Sequence, residues 1–465
     1  MSHFYGLSVW KVRQDFERDR MMYADKQLES SAATERVSSR SISRWRQSLG
    51  GLMAGDFVRK VLATFTTRIV LIVIGLVTTV LVARILGPAG RGLYAVATAI
   101  GNIGLQFGTL GMHASNVYFV SKDRATLPKL LGNSLFVSCI IGILALVGSY
   151  SVFAVLPQLA PLHGLLLLLG LLWIPVGTAY LLAQNLLLGV NEVATYNRTE
   201  LGNRSLALVI IVFLAFAHWL SSESAFGAGL ITMTLMLGVI VAHLAKVAHA
   251  APRPSLELFK DNLSYGMRAY FGTFFCFLVL RSDLLVVKYL CGAEAAGYYS
   301  IAVNMADYIV ILPTVIASLL MPKLSATQDI IEKYRLMKKV LIGTVGIVGP
   351  LLLLSVVLAP FVVRILFGSA FAPSVPAYLW LVPGMLFLSI HMISVQFLNS
   401  IGYPMSVVWI WLGCAILNIG LNLAWAVPLW GATGAAITSS ICYILATVSV
   451  LGVIRLEMRR ELALA

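Results

Sequence analysis

Arg84-Ile-Leu-Gly-Pro-Ala-Gly-Arg-Gly-Leu-Tyr94-Ala-Val-Ala97 has a second version in Lys288-Tyr-Leu-Cys-Gly-Ala-Glu-Ala-Ala-Gly-Tyr-Tyr299-Ser-Ile-Ala302. A constant offset of 205 pairs Gly87 with Gly292, Gly92 with Gly297, Tyr94 with Tyr299 and Ala97 with Ala302. Much further along, Gly229 meets Gly434 at the same offset. Both stretches lie between apolar spans. A repeat of this size in an apolar chain predicts two membrane lobes, the plan of many secondary transporters.

Working outward, the whole chain has the composition that such lobes require. Of 465 residues, 59% are hydrophobic and 12% charged, with a mean hydropathy of +0.88. Soluble domains carry about 25% charged residues. A water-soluble fold could not hide this much apolar surface, so the chain reads as an integral membrane protein. The net charge of +14 does not point to nucleic acid, because the cations gather on one side of the spans. Cys139, Cys276, Cys291, Cys414 and Cys442 lie in or beside apolar spans without a CxxC pair and read as small packing residues.

A spanning helix needs about 20 apolar residues. About twelve such windows occur, from 62–83 to 432–454, and the 163–189 window contains Pro175 and Gly177, which predict a break or kink. Alternate connections are rich in lysine and arginine. One set holds Lys122, Arg124 and Lys129, Arg198 and Arg204, Lys246 to Arg268, and Lys323 to Lys339; the other holds only Arg84, Arg91, Lys288 and Arg364. The basic set shares its side with both termini, which places them in the cytoplasm and makes the span number even. The fold class expected is an all-α polytopic membrane protein, with six helices in each of two lobes related by a parallel repeat.

The expected domains are a basic tail at 1–60, an N-terminal lobe at 61–250, a linker at 251–263, a C-terminal lobe at 264–455 and a tail at 456–465. Ile42, Trp45, Leu49, Leu52, Met53 and Phe57 recur at helical spacing, with Arg44, Arg46, Arg59 and Lys60 on other faces. That pattern over 42–60 fits an amphipathic helix on anionic lipid, or equally a cytosolic helix under the bundle. Residues 1–30 are charged and polar where a cleavable leader would need an apolar stretch.

Further short motifs follow one another along the chain: Arg84-x-Leu-Gly-Pro to Tyr94, Arg281-Ser-Asp283, Gly297-x-Tyr299, Pro313 and Leu320-Met-Pro322. They continue in Phe367-Gly368, Asn399-Ser-Ile-Gly402-Tyr-Pro404, Asn418 with Asn422, and Gly431-x-x-Gly434-Ala-Ala436. Their order along residues 60–455 resembles the Wzx-type oligosaccharide flippases of the multidrug/oligosaccharidyl-lipid/polysaccharide exporter superfamily. The long N-terminal tail departs from the family's usual short one. The resemblance implies translocation of undecaprenyl-pyrophosphate-linked oligosaccharide across a bacterial inner membrane, for exopolysaccharide, capsule or O-antigen synthesis, by alternating access. It also implies contact with membrane lipids and with a glycan polymerase and export machinery as partners. Such transport needs no catalytic residue and no cofactor. The absence of a nucleotide-binding P-loop in the sequence argues against a self-contained ATP-driven pump.

Ionisable groups inside spans mark the candidate site, because they are costly there and usually face a cavity. Asp307, about 15 Å into its span, is the first candidate for ion coupling, and a structural partner for a neighbouring cation is the competing reading. Asp283 is the second coupling candidate. It stands two residues from Arg281, so the two point to different helix faces. Arg281 and Arg68 are candidate contacts for the diphosphate, whose oxygens suit a guanidinium fork. For Arg281 and Asp283, snorkelling to the outer interface is the competing reading. Asn304, Asn399 and Asn418, with Gln396 and Asn422, could bond sugar hydroxyls or other helices. Glu200 and Arg204 stand at the spacing of a local helical ion pair. His113 and His391 are read as packed histidines against a proton role. No metal-ligand spacing occurs.

Three rivals remain. A cation-coupled multidrug antiporter shares the topology but wants acidic spans, and here Arg68 and Arg281 join only Asp283 and Asp307. A lipid II flippase resembles the chain in fold, yet that family typically has additional C-terminal spans. A membrane polymerase or ligase needs a sizeable outer loop with catalytic groups, and the outer connections are short.

Overall fold

A glycine is the only residue that takes positive φ at no steric cost, and three such glycines divide the longest helices of this chain. The structure is a computed structural model that describes residues 66–464 apart from residues 157, 159 and 403. Helix α1 runs Thr66–Gly108 over 43 residues and contains Gly87 at φ +66°. Helix α7 runs Leu256–Ala326 over 71 residues and breaks at Gly292, φ 89° and ψ 179°. Helix α11, Val427–Leu464, breaks at Gly431 with φ 55° and ψ −133°. A Cβ at Gly87 or Gly292 would meet nothing within 4 Å. The backbone turn, not lack of room, therefore requires glycine at both.

Between these lie α2 (Met112–Lys122), α3 (Leu127–Val155), α4 (Gly164–Gly189), α5 (Val193–Phe216) and α6 (Ser222–Ala248). After α7 follow α8 (Ile330–Val362), α9 (Ser374–Ser400) and α10 (Met405–Leu421), the last joined to α11 through a π turn over 422–426. No strand occurs among the described residues. Nine helical runs among them are long and apolar enough to cross a membrane, three of them 43, 57 and 57 residues long. A bilayer core takes about 20 residues, so those three runs, which turn at Gly87, Gly292 and Gly431, are each longer than one passage requires. The expected break at Pro175 is absent, and α4 runs through it. The expected tail at 1–60, with its amphipathic 42–60 segment, lies outside the described residues.

The chain separates into residues 1–68 and 69–465, and the architecture here is that of the second unit. Its largest core joins the repeat halves: Val96, Ala97 and Phe226 of the first share it with Val279, Tyr299, Tyr378 and Trp411 of the second. Each half also keeps a core of its own, around Leu130, Leu186 and Leu244 in one and around Leu324, Phe397 and Ile454 in the other. Outward-facing Val73, Val77, Phe213, Leu353 and Val357 are exposed, as lipid-facing residues should be.

The legs that follow Gly87 and Gly292 cross each other. A Cβ on Gly92 would strike the carbonyl oxygen of Ala293, and one on Gly297 would strike that of Pro88. These two contacts exchange under the 205 offset, so a local two-fold axis passes between the legs. The halves differ further down. The first leg breaks at Thr109-Leu110-Gly111, where Leu110 and Gly111 have φ of 47° and 75°, and then resumes as α2. Its counterpart continues through Thr314 to Ala326.

Candidate functional site

The turn at Gly292 folds the two legs of α7 side by side and brings Arg281 to Asp307. Their ion pair measures 2.8 Å, with side chains 30% and 37% exposed. Of the two readings of Asp307 from sequence, the structure supplies the partner for the second, a cation on the neighbouring leg. Asp283 points elsewhere, as its spacing from Arg281 predicts. It is 1% exposed and accepts hydrogen bonds from Tyr299 Oη, Ser439 Oγ and the Leu284 amide, the last two at 2.8 Å.

Asn418 and Asn422 extend this cluster. Both are fully buried on the α10 side; Asn422 donates to Asn418 Oδ1 at 3.2 Å, and Asn418 Nδ2 lies 3.5 Å from Ser439 Oγ. Asn422 Oδ1 is buried with no hydrogen-bond partner. Asp283, Ser439, Asn418 and Asn422 thus form a buried, oxygen-rich cluster of the second half, with the Cys442 thiol beside Asn418.

The other candidates stand apart from it. Asn304 is half-buried on the second leg of α7 and donates to the Ser300 carbonyl at 2.6 Å. Asn399 lies at the end of α9 and donates to Gln396 Oε1 at 3.4 Å. Arg68 is exposed in the first described turn of α1. Arg204 is exposed on α5. His391 is buried and its Nε2 accepts from Trp411 Nε1 at 3.2 Å, the packed histidine that the sequence suggests.

Two arginines of the repeated motif gain roles that the sequence does not disclose. Arg84 donates through Nε to the Leu366 carbonyl at 2.7 Å and through Nη2 to the Ile365 carbonyl, in the π turn that ends α8. It therefore ties the first half to the second beside the leg crossing. Arg91 is 5% exposed, with its guanidinium 5.3 Å from the Tyr94 ring centre. Tyr308 lies within electrostatic reach of Arg91, Asp307 and Arg204, and its hydroxyl sits 3.9 Å from where a Cβ on Gly75 would be. The one sequence signal for Arg91 is its repeat counterpart, Ala296, a small apolar residue that suits a buried position.

At the opposite end of the legs, the start of α7 is fastened to the first half. Gly266 and Gly111 cross with their backbones in contact. Asn262 donates to Asn116 Oδ1 at 2.6 Å and accepts from Ser115, while Asn116 donates to Ser134 at 3.0 Å. Asn133 and Ser255 exchange two hydrogen bonds of 2.9 and 2.7 Å. Tyr265 stacks on Tyr118 at 4.5 Å. The segment expected as linker thus carries helix from Leu256 and a buried polar junction at Asn262. Contacts between the repeat halves occur at both ends of the legs.

The family described as polysaccharide biosynthesis protein matches residues 81–376, well over half of the chain and across both crossings. The chain belongs to that family. Solved structures give the fold. An inward-facing multidrug resistance MATE family transporter of the MOP superfamily aligns at a TM-score of 0.66 and 15% identity, covering 83% of this chain and 94% of its own. The lipid II flippase MurJ in an inward closed conformation aligns at 0.66 and 16%, covering 86% and 87%. A MOP superfamily transporter from Pyrococcus furiosus, described as having a binding pocket of reverse polarity, aligns at 0.59 and 15%, covering 86% and 95%. At these identities the likeness is one of fold. An uncharacterised membrane protein of Methanocaldococcus jannaschii is 27% identical over 220 residues, which is 46% of this chain and 43% of that protein. The chain therefore spans less than half the length of that curated relative. The polysaccharide biosynthesis family and the MOP-type fold agree with the resemblance drawn from the sequence motifs.

Proposed function

We propose that this family member is a flippase that carries undecaprenyl-pyrophosphate-linked oligosaccharide from the inner to the outer leaflet of a bacterial inner membrane. It would work by alternating access of lobes at 61–250 and 264–455, with both termini in the cytoplasm. The observation that carries this reading is the charge between the lobes. Asp307 is already answered by Arg281, and Asp283 is withdrawn into the second half, so the cation Arg91 stands in excess. A polar glycan and its diphosphate cannot cross hydrocarbon unaided. A guanidinium with no opposing carboxylate suits that anion and disfavours a cationic drug.

Of the two coupling candidates, Asp283 has the better surroundings, because buried oxygens converge on it and, among the described residues, no cation forms an ion pair with it. The family match also bears on partners: a polymerase and export machinery that use the translocated glycan are part of this reading. A lipid II substrate is the second reading, favoured by the MurJ likeness, and a MATE transporter aligns equally well.

Purified protein in liposomes, given a short undecaprenyl-pyrophosphate oligosaccharide, tests the proposal. A glycosidase unable to cross the bilayer reports the leaflet. Protein-dependent exposure, faster under an imposed proton or sodium gradient, is the expected result. Gradient-driven efflux of a lipophilic cation without glycan exposure would put the protein with the drug antiporters instead.

A further inference from the structure

Arg91 is the charged group that the coupling pocket and the Arg281–Asp307 pair leave without a purpose. It precedes Gly92, at the crossing of the two legs, and is 5% exposed. Its Nε is buried and donates to no acceptor, and among the described residues no carboxylate pairs with it. The Tyr94 ring at 5.3 Å softens the burial of its charge without neutralising it. A charge buried in protein is costly and is normally answered by an opposite charge. Snorkelling does not explain Arg91, because a snorkelling head reaches water and this one does not. Nor does the fold demand a cation here: Ala296, the repeat counterpart, is fully buried with a methyl group.

We infer that Arg91 is a phosphoryl-recognition residue of the inter-lobe site, offering its unused guanidinium edge to the diphosphate of the lipid-linked glycan. The inference rests on the flippase reading. Nε and a terminal nitrogen form a planar fork that two phosphate oxygens accept in parallel, a geometry a lysine cannot copy. The bound anion would also supply the negative charge that the protein withholds from this position.

The test measures binding of undecaprenyl diphosphate, undecaprenyl monophosphate and phosphatidylglycerol to the full-length protein in detergent. Wild type, Arg91→Met and Arg91→Lys are compared. Wild type is expected to prefer the diphosphate over both other lipids. Arg91→Met keeps the length without the charge, so it should unfold at the wild-type temperature or above, because an unpaired buried charge has been removed. Its affinity for the diphosphate should fall at least tenfold, with phosphatidylglycerol unchanged. Arg91→Lys should lose most of the preference for diphosphate over monophosphate. An Arg91→Met protein that fails to fold, or unfolds earlier with its preference intact, makes Arg91 a structural cation and overturns the inference. An equal loss for phosphatidylglycerol overturns it too, in favour of a general headgroup contact. A wild-type protein indifferent to the diphosphate would instead sink the flippase reading on which the inference stands.

Discussion

Asp283 gathers hydrogens from Tyr299, Ser439 and the Leu284 amide, while Asp307 answers a single guanidinium, and the two carboxylates should respond differently to replacement. Tyr299→Phe removes one donor from a buried acceptor, which costs about 1–3 kcal/mol; thermal unfolding in detergent measures it. Asp283→Asn should abolish gradient-dependent acceleration in the liposome assay while leaving slow, downhill glycan movement. Unchanged acceleration would remove Asp283 from coupling. The Arg281–Asp307 pair is about one-third exposed, so solvent screening holds its worth to about 1 kcal/mol. Arg281→Gln and Asp307→Asn should each destabilise by that order, and the double variant should lose less than their sum. Additive losses would mean that the pair contributes nothing as a pair. At this scale the i,i+2 spacing made the divergence of Arg281 and Asp283 legible. The burial of Arg91 was not, because a residue four positions after a glycine turn reads as part of an exposed connection until the second leg is laid across it.

The elements separate two uses of glycine that the sequence writes identically. Gly87 and Gly292 have open space at Cβ and need positive φ; Gly92 and Gly297 lack the space. Gly87→Ala should therefore cost about 1–2 kcal/mol of backbone strain and leave the crossing in place. Gly92→Ala drives a methyl into the Ala293 carbonyl and must part the legs. It should lower the unfolding temperature more than Gly87→Ala and make a cysteine replacing the buried Ala296 reactive to a membrane-impermeant thiol reagent. Five native cysteines are free and would first be replaced. Equal reactivity at Ala296→Cys in both glycine variants would refute the division. The aligned glycines were visible as a repeat, but the break at Thr109-Leu110-Gly111 was not. Its counterpart also begins with threonine and stays helical, so the difference arises from what packs around it, Gly266 in particular.

For the whole molecule, the two ends of the legs are held by chemically different means. One end relies on the Arg84 guanidinium and backbone carbonyls; the other on the buried amides of Asn116, Asn133 and Asn262. Loosening either should shift the balance of accessible states in opposite senses. Asn262→Ala should expose a cysteine placed at the buried Met112, and Arg84→Gln one placed at Ala296, each leaving the other site protected. Simultaneous exposure of both by one variant would mean that the ends do not alternate. The two-lobe plan was readable from the 205 offset because it is written in apolar periodicity and repeated glycines. The fastening of α7 to the first half was not, since Asn116 and Asn262 are separated by 146 positions and each looks like an ordinary polar residue.

The leg crossing has a further consequence. Gly92 meets Ala293 and Gly297 meets Pro88, and each contact is the other with its halves exchanged. That is the geometry of an isologous interface, the kind two identical subunits share, enclosed in one polypeptide. Because each contact is a glycine against a carbonyl oxygen, the residue that offers the carbonyl is free to change its side chain. Pro88 and Ala293 have done so, and the glycines opposite them have not.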